Sequence, residues 1–300
     1  MPFEHLVASF NERFTLEHRL DAPPLTFDGE RVRGRFGNLT FTSRLKPVRL
    51  QTRPSQLTGH DTAPLVFTPA SPNDTTHLLY GQDAPNIVSL DRLSRTVHML
   101  NYLLLDQPEG SLFLHVHPHH VLTVQKDHGA YFEEIIRRCG LPLRRVVISL
   151  TLSRVSETQH LLLLERLKRY HERGYSTAVR FDELAASEFV ERFSRQFLHR
   201  FAADYVRFDA GFFRRAYQNR GGQRQRAALL SAIRYVDTQI LVDSVKTRSD
   251  VELIAAIRPD YVQGPWYEGR VAPSDWLEHP ADPPKTLASP SSAVTTPHLP

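Results

Sequence analysis

Residues 112–121 read LFLHVHPHHV. A run of strand-forming character carries His at two alternate positions, His115 and His117, before Pro118 ends it and His119 and His120 follow. Successive side chains of a strand point to opposite faces, so His115 and His117 are expected to share one face. Some metal-dependent hydrolases built on β/α barrels begin their sites this way, so the reading turns on whether the rest of the chain supplies a barrel and more ligands.

Outward from this stretch, short β-like runs alternate with amphipathic stretches about every 30 residues, the size of a β/α unit. Strands are expected at 112–116, 145–151, 177–181, 205–208, 240–243 and 261–263. Most are apolar on consecutive residues, as strands covered on both faces are. Helices are expected at 89–105, 131–139, 156–173, 186–200, 223–237 and 249–257. In the third of these, Ser156 and Gln159 read as a capping box, Leu161, Leu164 and Leu167 as one face, and Gly174 as the left-handed stop. A further strand is read at 38–50 (NLTFTSRLKPVRL), whereas the Pro, Thr and Asp-rich residues 51–86 show little periodicity. The count approaches a closed eight-stranded β/α barrel. The expected organisation is a helical extension at 1–27, the barrel at 28–275, and a disordered Pro/Ser/Thr-rich tail at 276–300.

Composition narrows the classes. Three hundred residues, 41% hydrophobic, can bury a full core. The 37 Lys and Arg stand against 33 Asp and Glu, and they are scattered along helices rather than gathered into a stripe with interleaved aromatics, so nucleic acid is not the expected partner. The lone cysteine, Cys139, excludes an intramolecular disulfide and reads as packing in a reducing compartment. The N-terminal stretch lacks the apolar core of a signal peptide, and no apolar run is long enough to span a bilayer. A cytoplasmic protein without membrane insertion is expected.

At the C-terminal ends of the strands, where barrel chemistry sits, the blocks LFLHVHPHHV, RRVVISLTLS, GYSTAVRFDE, ADYVRFDAGFF, QILVDSVKT and DYVQGPW occur in order. This series resembles the EAL domain, the bacterial cyclic di-GMP phosphodiesterase family, over about residues 36–272. The resemblance implies an EAL-type (β/α)8 barrel with one antiparallel strand. It also implies a set of substituted positions. His115 stands where the family has a metal-binding Asn and Ser149 where it has a Glu. Arg180 and Phe181 fall on its adjacent acidic pair, and Arg207 on its catalytic Lys, with Asp209 retained after it. Asp243 and Lys246 fall on the two Glu residues of the family's AEGVE block, while Gln263 and Gly264 are kept. The signature segment is best placed with Lys46-Pro47-Val48 on the family's QPI and Gly59 to Ala63 on GAEAL, which puts Asp61 at the signature Glu. A two-residue slip would instead bring Asp182 and Glu183 onto the acidic pair, at the cost of the strand's apolar pattern.

The family holds two divalent cations with carboxylates, and an Arg among them opposes metal entry. The expectation is therefore a catalytically inactive EAL-like domain with no metal and no cofactor. It would act as a regulatory module that binds another bacterial signalling or regulatory protein, with homodimerisation through family helices open. The alternative is a metal-independent cyclic di-GMP receptor using Asp61, Arg180, Arg207, Asp209, Lys246 and Gln263, in which the cations meet phosphate directly; an active phosphodiesterase is the weaker third reading. Against the receptor stands the expectation that these cations pair with Asp61, Asp182, Asp209 and Asp243 across the rim. An unrelated metal hydrolase would need ligands on later strands, but His160, His171 and His199 fall in helices. In this frame His119 and His120 are expected in a solvated loop.

Overall fold

In a computed structural model of the chain the expected strands join into one sheet; it describes residues 3–18, 22–67, 84–105, 108 and 110–268, apart from 125–128, 154, 202 and 217–219. Residues 1–270 form one unit. The tail expected at 276–300 lies outside the described residues, as do the edges of several loops.

Helix α1 (Phe3–His18) precedes strands β1 (Leu25–Phe27), β2 (Val32–Phe36), β3 (Leu39–Leu50) and β4 (Arg53–Phe67). Helix α2 (Ala84–Leu103) then leads into alternating strands and helices: β5 (Ser111–Val116), α3 (Pro118–Thr123), α4 (Ala130–Arg138), β6 (Val146–Thr151), α5 (Glu157–Glu172) and β7 (Ser176–Phe181). Next come α6 (Ser187–Gln196), α7 (Leu198–Phe201), β8 (Tyr205–Asp209), α8 (Ala210–Ala216), α9 (Arg220–Tyr235), β9 (Gln239–Asp243), α10 (Arg248–Ile257), β10 (Tyr261–Gln263) and α11 (Pro265–Glu268).

Strands β4 to β10 run parallel in chain order, and β3 pairs antiparallel with both β4 and β10. The eight strands β3 to β10 thereby close on themselves, with β3 as the antiparallel member. Val48, Phe113, Val147, Ala178 and Leu241 form one buried cluster, with Tyr205 and Tyr261 packed against it. They come from β3, β5, β6, β7 and β9, strands that can meet only across the barrel interior. This layer is the floor of the barrel mouth.

The structure differs from the sequence reading in several places. Residues 53–67 form a 15-residue strand inside the stretch read as without periodicity. Its first six residues are mostly exposed and its inward alternation begins only at Gly59. Pro64 is tolerated because β5 pairs with β4 only at Gly59–Asp61, so beyond that the proline sits on the edge away from β3. Residues 25–27, at the end of the expected helical extension, are strand β1, and both β1 and β2 are short pieces stabilised from outside. Val32 exchanges hydrogen bonds with the Asn101 side chain of α2 at 2.9 and 2.8 Å, a contact no local pattern encodes.

Helix α5 also differs in detail. Ser156 is its N-cap, but its hydroxyl bonds Gln159 Oε1 at 3.0 Å instead of closing a capping box with the backbone. The buried face runs through His160, Leu163, Leu164 and Leu167, while Leu161 is 43% exposed. Gly174 does take the left-handed stop, at φ 96°.

Gly59 shows how tightly β4 is seated. A Cβ there would meet the Ser111 carbonyl oxygen of β5 at 2.2 Å, and that backbone cannot yield without breaking the parallel pairing. Gly59→Ala is expected to lower stability by about 1–3 kcal/mol, read from urea unfolding, and an unchanged midpoint would contradict this seating.

Candidate functional site

A strand repeats its facing every two residues, so the positions two beyond the floor layer also point inward. On β5, β6, β7, β8, β9 and β10 these are His115, Ser149, Arg180, Arg207, Asp243 and Gln263, and on β4 the register through Gly59 brings Asp61 to the same level. A polar layer therefore sits directly on an apolar one.

Arg207 is its centre, with 1% of its side chain exposed. Its two terminal nitrogens donate to Asp61 Oδ1 at 2.8 Å and Oδ2 at 2.9 Å, a bidentate fork, and Nη2 also donates to Asp243 Oδ2 at 3.1 Å. The guanidinium lies 5.2 Å from the centroid of the Phe113 ring, which covers it from below. His115 Nε2 completes Asp61 at 2.9 Å. Arg180 forks onto Asp243 through Nε and Nη2, both at 2.9 Å, and reaches Asp209 at 3.5 Å. The Ser244 hydroxyl also donates to Asp243 Oδ1, at 3.0 Å.

Charge follows from these contacts. Burial alone would raise Asp61 and Asp243, but the facing guanidiniums outweigh it, holding Asp61 well below the usual carboxylate range and Asp243 at about 2. Burial pushes His115 down against the pull of Asp61. Asp209 moves the other way, raised by burial and by the charge of Asp243.

The sequence-expected residues thus divide. Asp61, His115, Arg180, Arg207, Asp209 and Asp243 converge, and Ser149 lies 3.5 Å from Arg207. Lys246 does not join them. Its side chain is exposed past the end of β9, and its amide donates to Asp250 at 2.8 Å. Phe181 faces the helices instead, packed against Phe189, Phe193 and Phe208. Asp182 closes a local turn by accepting the Leu184 amide, and Glu183 is exposed. Gln263 is buried beside Gly264, where a Cβ would meet the Val245 backbone at 2.4 Å.

The remaining histidines correct the opening stretch. His117 stands just past β5 as the N-cap of α3, not on the strand face with His115. His119 is exposed, but His120 is not in a solvated loop. It is 4% exposed on α3 and lies 2.6 Å from Asp91, which Arg95 also meets at 2.6 Å. The sequence reading missed this cluster; only its Asp91–Arg95 half has a local signal, the i, i+4 helical spacing. His160 stacks on Phe189 at 4.3 Å, away from any strand end. Burial pushes the Cys139 thiol up to about 12, so it is an inert packing residue. Among the described residues no three His, Cys, Asp or Glu side chains stand together as a metal-binding group, and no helix is long and apolar enough to cross a membrane.

An EAL domain family profile matches residues 90–269. The chain belongs to the EAL domain family. Solved structures agree in fold. A standalone EAL protein from Vibrio cholerae O395, in its cyclic di-GMP-bound form, is 16% identical with a TM-score of 0.59, covering 76% of this chain and 90% of that one. The Bacillus subtilis YkuI protein, which has an EAL domain and is in complex with its substrate cyclic di-GMP and calcium, is 13% identical at a TM-score of 0.59, with 75% of this chain and 53% of that one covered. The PaMucR phosphodiesterase in its cyclic di-GMP complex is 15% identical at 0.56, covering 77% and 96%. Comparison with curated protein sequences returns no match. For this EAL domain the closed barrel and its antiparallel β3 are therefore family features.

Two outcomes test the polar layer. Arg207→Met is expected to cost about 3–5 kcal/mol, since Asp61 would stay buried with only His115, whereas Lys246→Ala should stay within about 0.5 kcal/mol; equal losses in urea unfolding would contradict the arrangement. Asp243 is held at about 2 against an ordinary 3.8, so its contribution is fully present above the ordinary value and lost as pH falls through the folded one. Stability should decline by on the order of 2 kcal/mol from this group between about pH 4 and 2, and Asp243→Asn should flatten that decline.

Proposed function

We propose that this EAL domain does not hydrolyse cyclic di-GMP and acts as a protein-interaction module in bacterial signalling. One observation carries the reading: every oxygen of Asp61 and Asp243 already accepts an N–H from Arg180, Arg207 or His115 at 2.8–3.1 Å. The family's chemistry needs two divalent cations, and each needs open carboxylate oxygens. Here permanently charged guanidinium nitrogens lie at the oxygens a cation would have to reach. These residues do not fit the metal pair, and no hydrolytic step is assigned through it. The sequence resemblance supports the same reading, since it sets His115, Ser149, Arg180, Phe181, Arg207 and Lys246 at the family's functional positions.

The metal-independent receptor is the competing reading. It draws on the cyclic di-GMP bound in the Vibrio cholerae relative and on Arg180, which keeps 19% of its side chain exposed at the rim. Against it, both cations of the layer are already forked onto aspartates, so phosphate would have to displace two buried ion pairs.

Incubation of the purified chain with cyclic di-GMP and magnesium or manganese should yield no linear dinucleotide; metal-dependent turnover would overturn the proposal. In calorimetry with and without divalent metal, no heat is expected. Saturable metal-independent heat would replace the interaction module by the receptor.

A further inference from the structure

The β3–β4 hairpin does not stop at the rim of the barrel. Lys46 and Asp61 pair at the level of the polar layer, β5 pairs with β4 no further than Asp61, and β10 meets β3 only at Val48–Leu50. Beyond the rim β3 and β4 run on together to Thr40 and Phe67, where β2 and then β1 join them in place of the barrel strands. The result is a four-stranded antiparallel wall, all of it ahead of residue 90, where the family profile begins its match. Helix α2 covers one face: Val32, Phe41 and Val66 are buried there, Asn101 bonds Val32, and a Cβ on Gly34 would meet Val97 at 2.8 Å.

Alternate positions point the other way, and residues paired across strands share a face. Asp61 lies on this second face and points into the barrel, so the face continues the inner surface upward above the mouth. It carries Arg33 and Arg35 on β2, Arg44 and Lys46 on β3, and Leu65 and Phe67 on β4. The remaining strand positions beyond Asp61 on this face are threonine or alanine, and none is acidic. Arg33 pairs with Asp28 at 2.8 Å and Arg44 with Glu268 at 3.0 Å, both partly exposed pairs of the weak kind. Arg35 and Lys46 meet no carboxylate among the described residues. A sheet face that serves solubility alone mixes both signs of charge. Cations of one sign around a phenylalanine that is 37% exposed instead attract an anionic partner with apolar groups of its own. One ring stands on the face, and Arg33 already lies 5.6 Å from its centroid, so successive bases of a nucleic acid would find no stacking platform. Leu65 beside Phe67 suits the aliphatic side chains of a polypeptide.

We propose that this bare sheet face is the docking surface for an acidic segment of a partner protein, whose carboxylates meet Arg33, Arg35, Arg44 and Lys46 while its apolar side chains meet Leu65 and Phe67. The face supplies the interaction module with a partner of stated chemistry and rests on that reading. Turnover of cyclic di-GMP would remove the module, whereas peptide binding alone decides the face.

Fluorescence anisotropy of a labelled peptide repeating Glu-Glu-Leu, titrated with the full chain, tests it. Saturable binding is expected, and added salt should weaken it. Arg35→Glu should weaken it roughly tenfold, as reversal of a charge at an interface does, and Arg195→Glu, on α6, should leave it unchanged. Both arginines are exposed, so neither change disturbs packing. Arg35→Gln, which removes the charge without reversing it, should give a smaller loss in the same direction. Exchanging the peptide's Leu for Ser should weaken binding, and exchanging its Glu for Lys should abolish it. Absence of saturable binding, equal losses in Arg35→Glu and Arg195→Glu, or equal binding of the Leu and Ser peptides would overturn the proposal. An oligothymidylate of similar length that binds more tightly than the Glu-Glu-Leu peptide would overturn it too, and would assign the face to nucleic acid.

Discussion

A guanidinium sealed inside a barrel loses several kcal/mol of hydration, and the mouth of this barrel is built around recovering that loss for Arg207. Asp243 reaches it from the neighbouring strand β9, and Asp61 from β4, four strands further round the barrel. The fork onto Asp61 therefore exists only while the barrel is closed, and it ties together two strands that share no backbone ladder. Phe113 beneath and His115 beside complete the enclosure around that charge. Arg180 continues the pattern outward, pairing with Asp243 and then with Asp209 at the rim.

That arrangement links stability to chemistry through the same atoms. A carboxylate oxygen that accepts a guanidinium N–H is satisfied in its buried setting, and it is equally withdrawn from the coordination of a cation. Three aspartates facing two arginines leave little net charge to attract a divalent pair. The raised Asp209 carboxyl and the depressed Asp61 and Asp243 carboxyls express one fact, that only those aspartates with a close guanidinium keep their charge comfortably at depth.

Much of this was legible in the chain. The consecutive apolar residues of 145–151, 177–181 and 205–208 mark strands covered on both faces, and the ordered blocks mark the family. The strand at 53–67 was not legible, because its outer half is polar and exposed and its inward residues are few. Lys246 and Arg180 looked alike as cations at strand ends. Only one lies within a strand, at an inward-facing position, and the other falls in the exposed turn before α10. The Asp91–His120 contact joins residues of two different helices, so no periodicity carries it.

The histidines of LFLHVHPHHV separate the two sources of information most clearly. Their sequence determined that His115 faces the barrel interior, because the two-residue repeat of a strand is local and holds for any partner. What His115 meets there was decided by closure, which brings Asp61 and Arg207 together from 146 positions apart. Facing is a property of the backbone a residue sits in, whereas pairing is a property of the distances between strands. Only the folded barrel sets those distances.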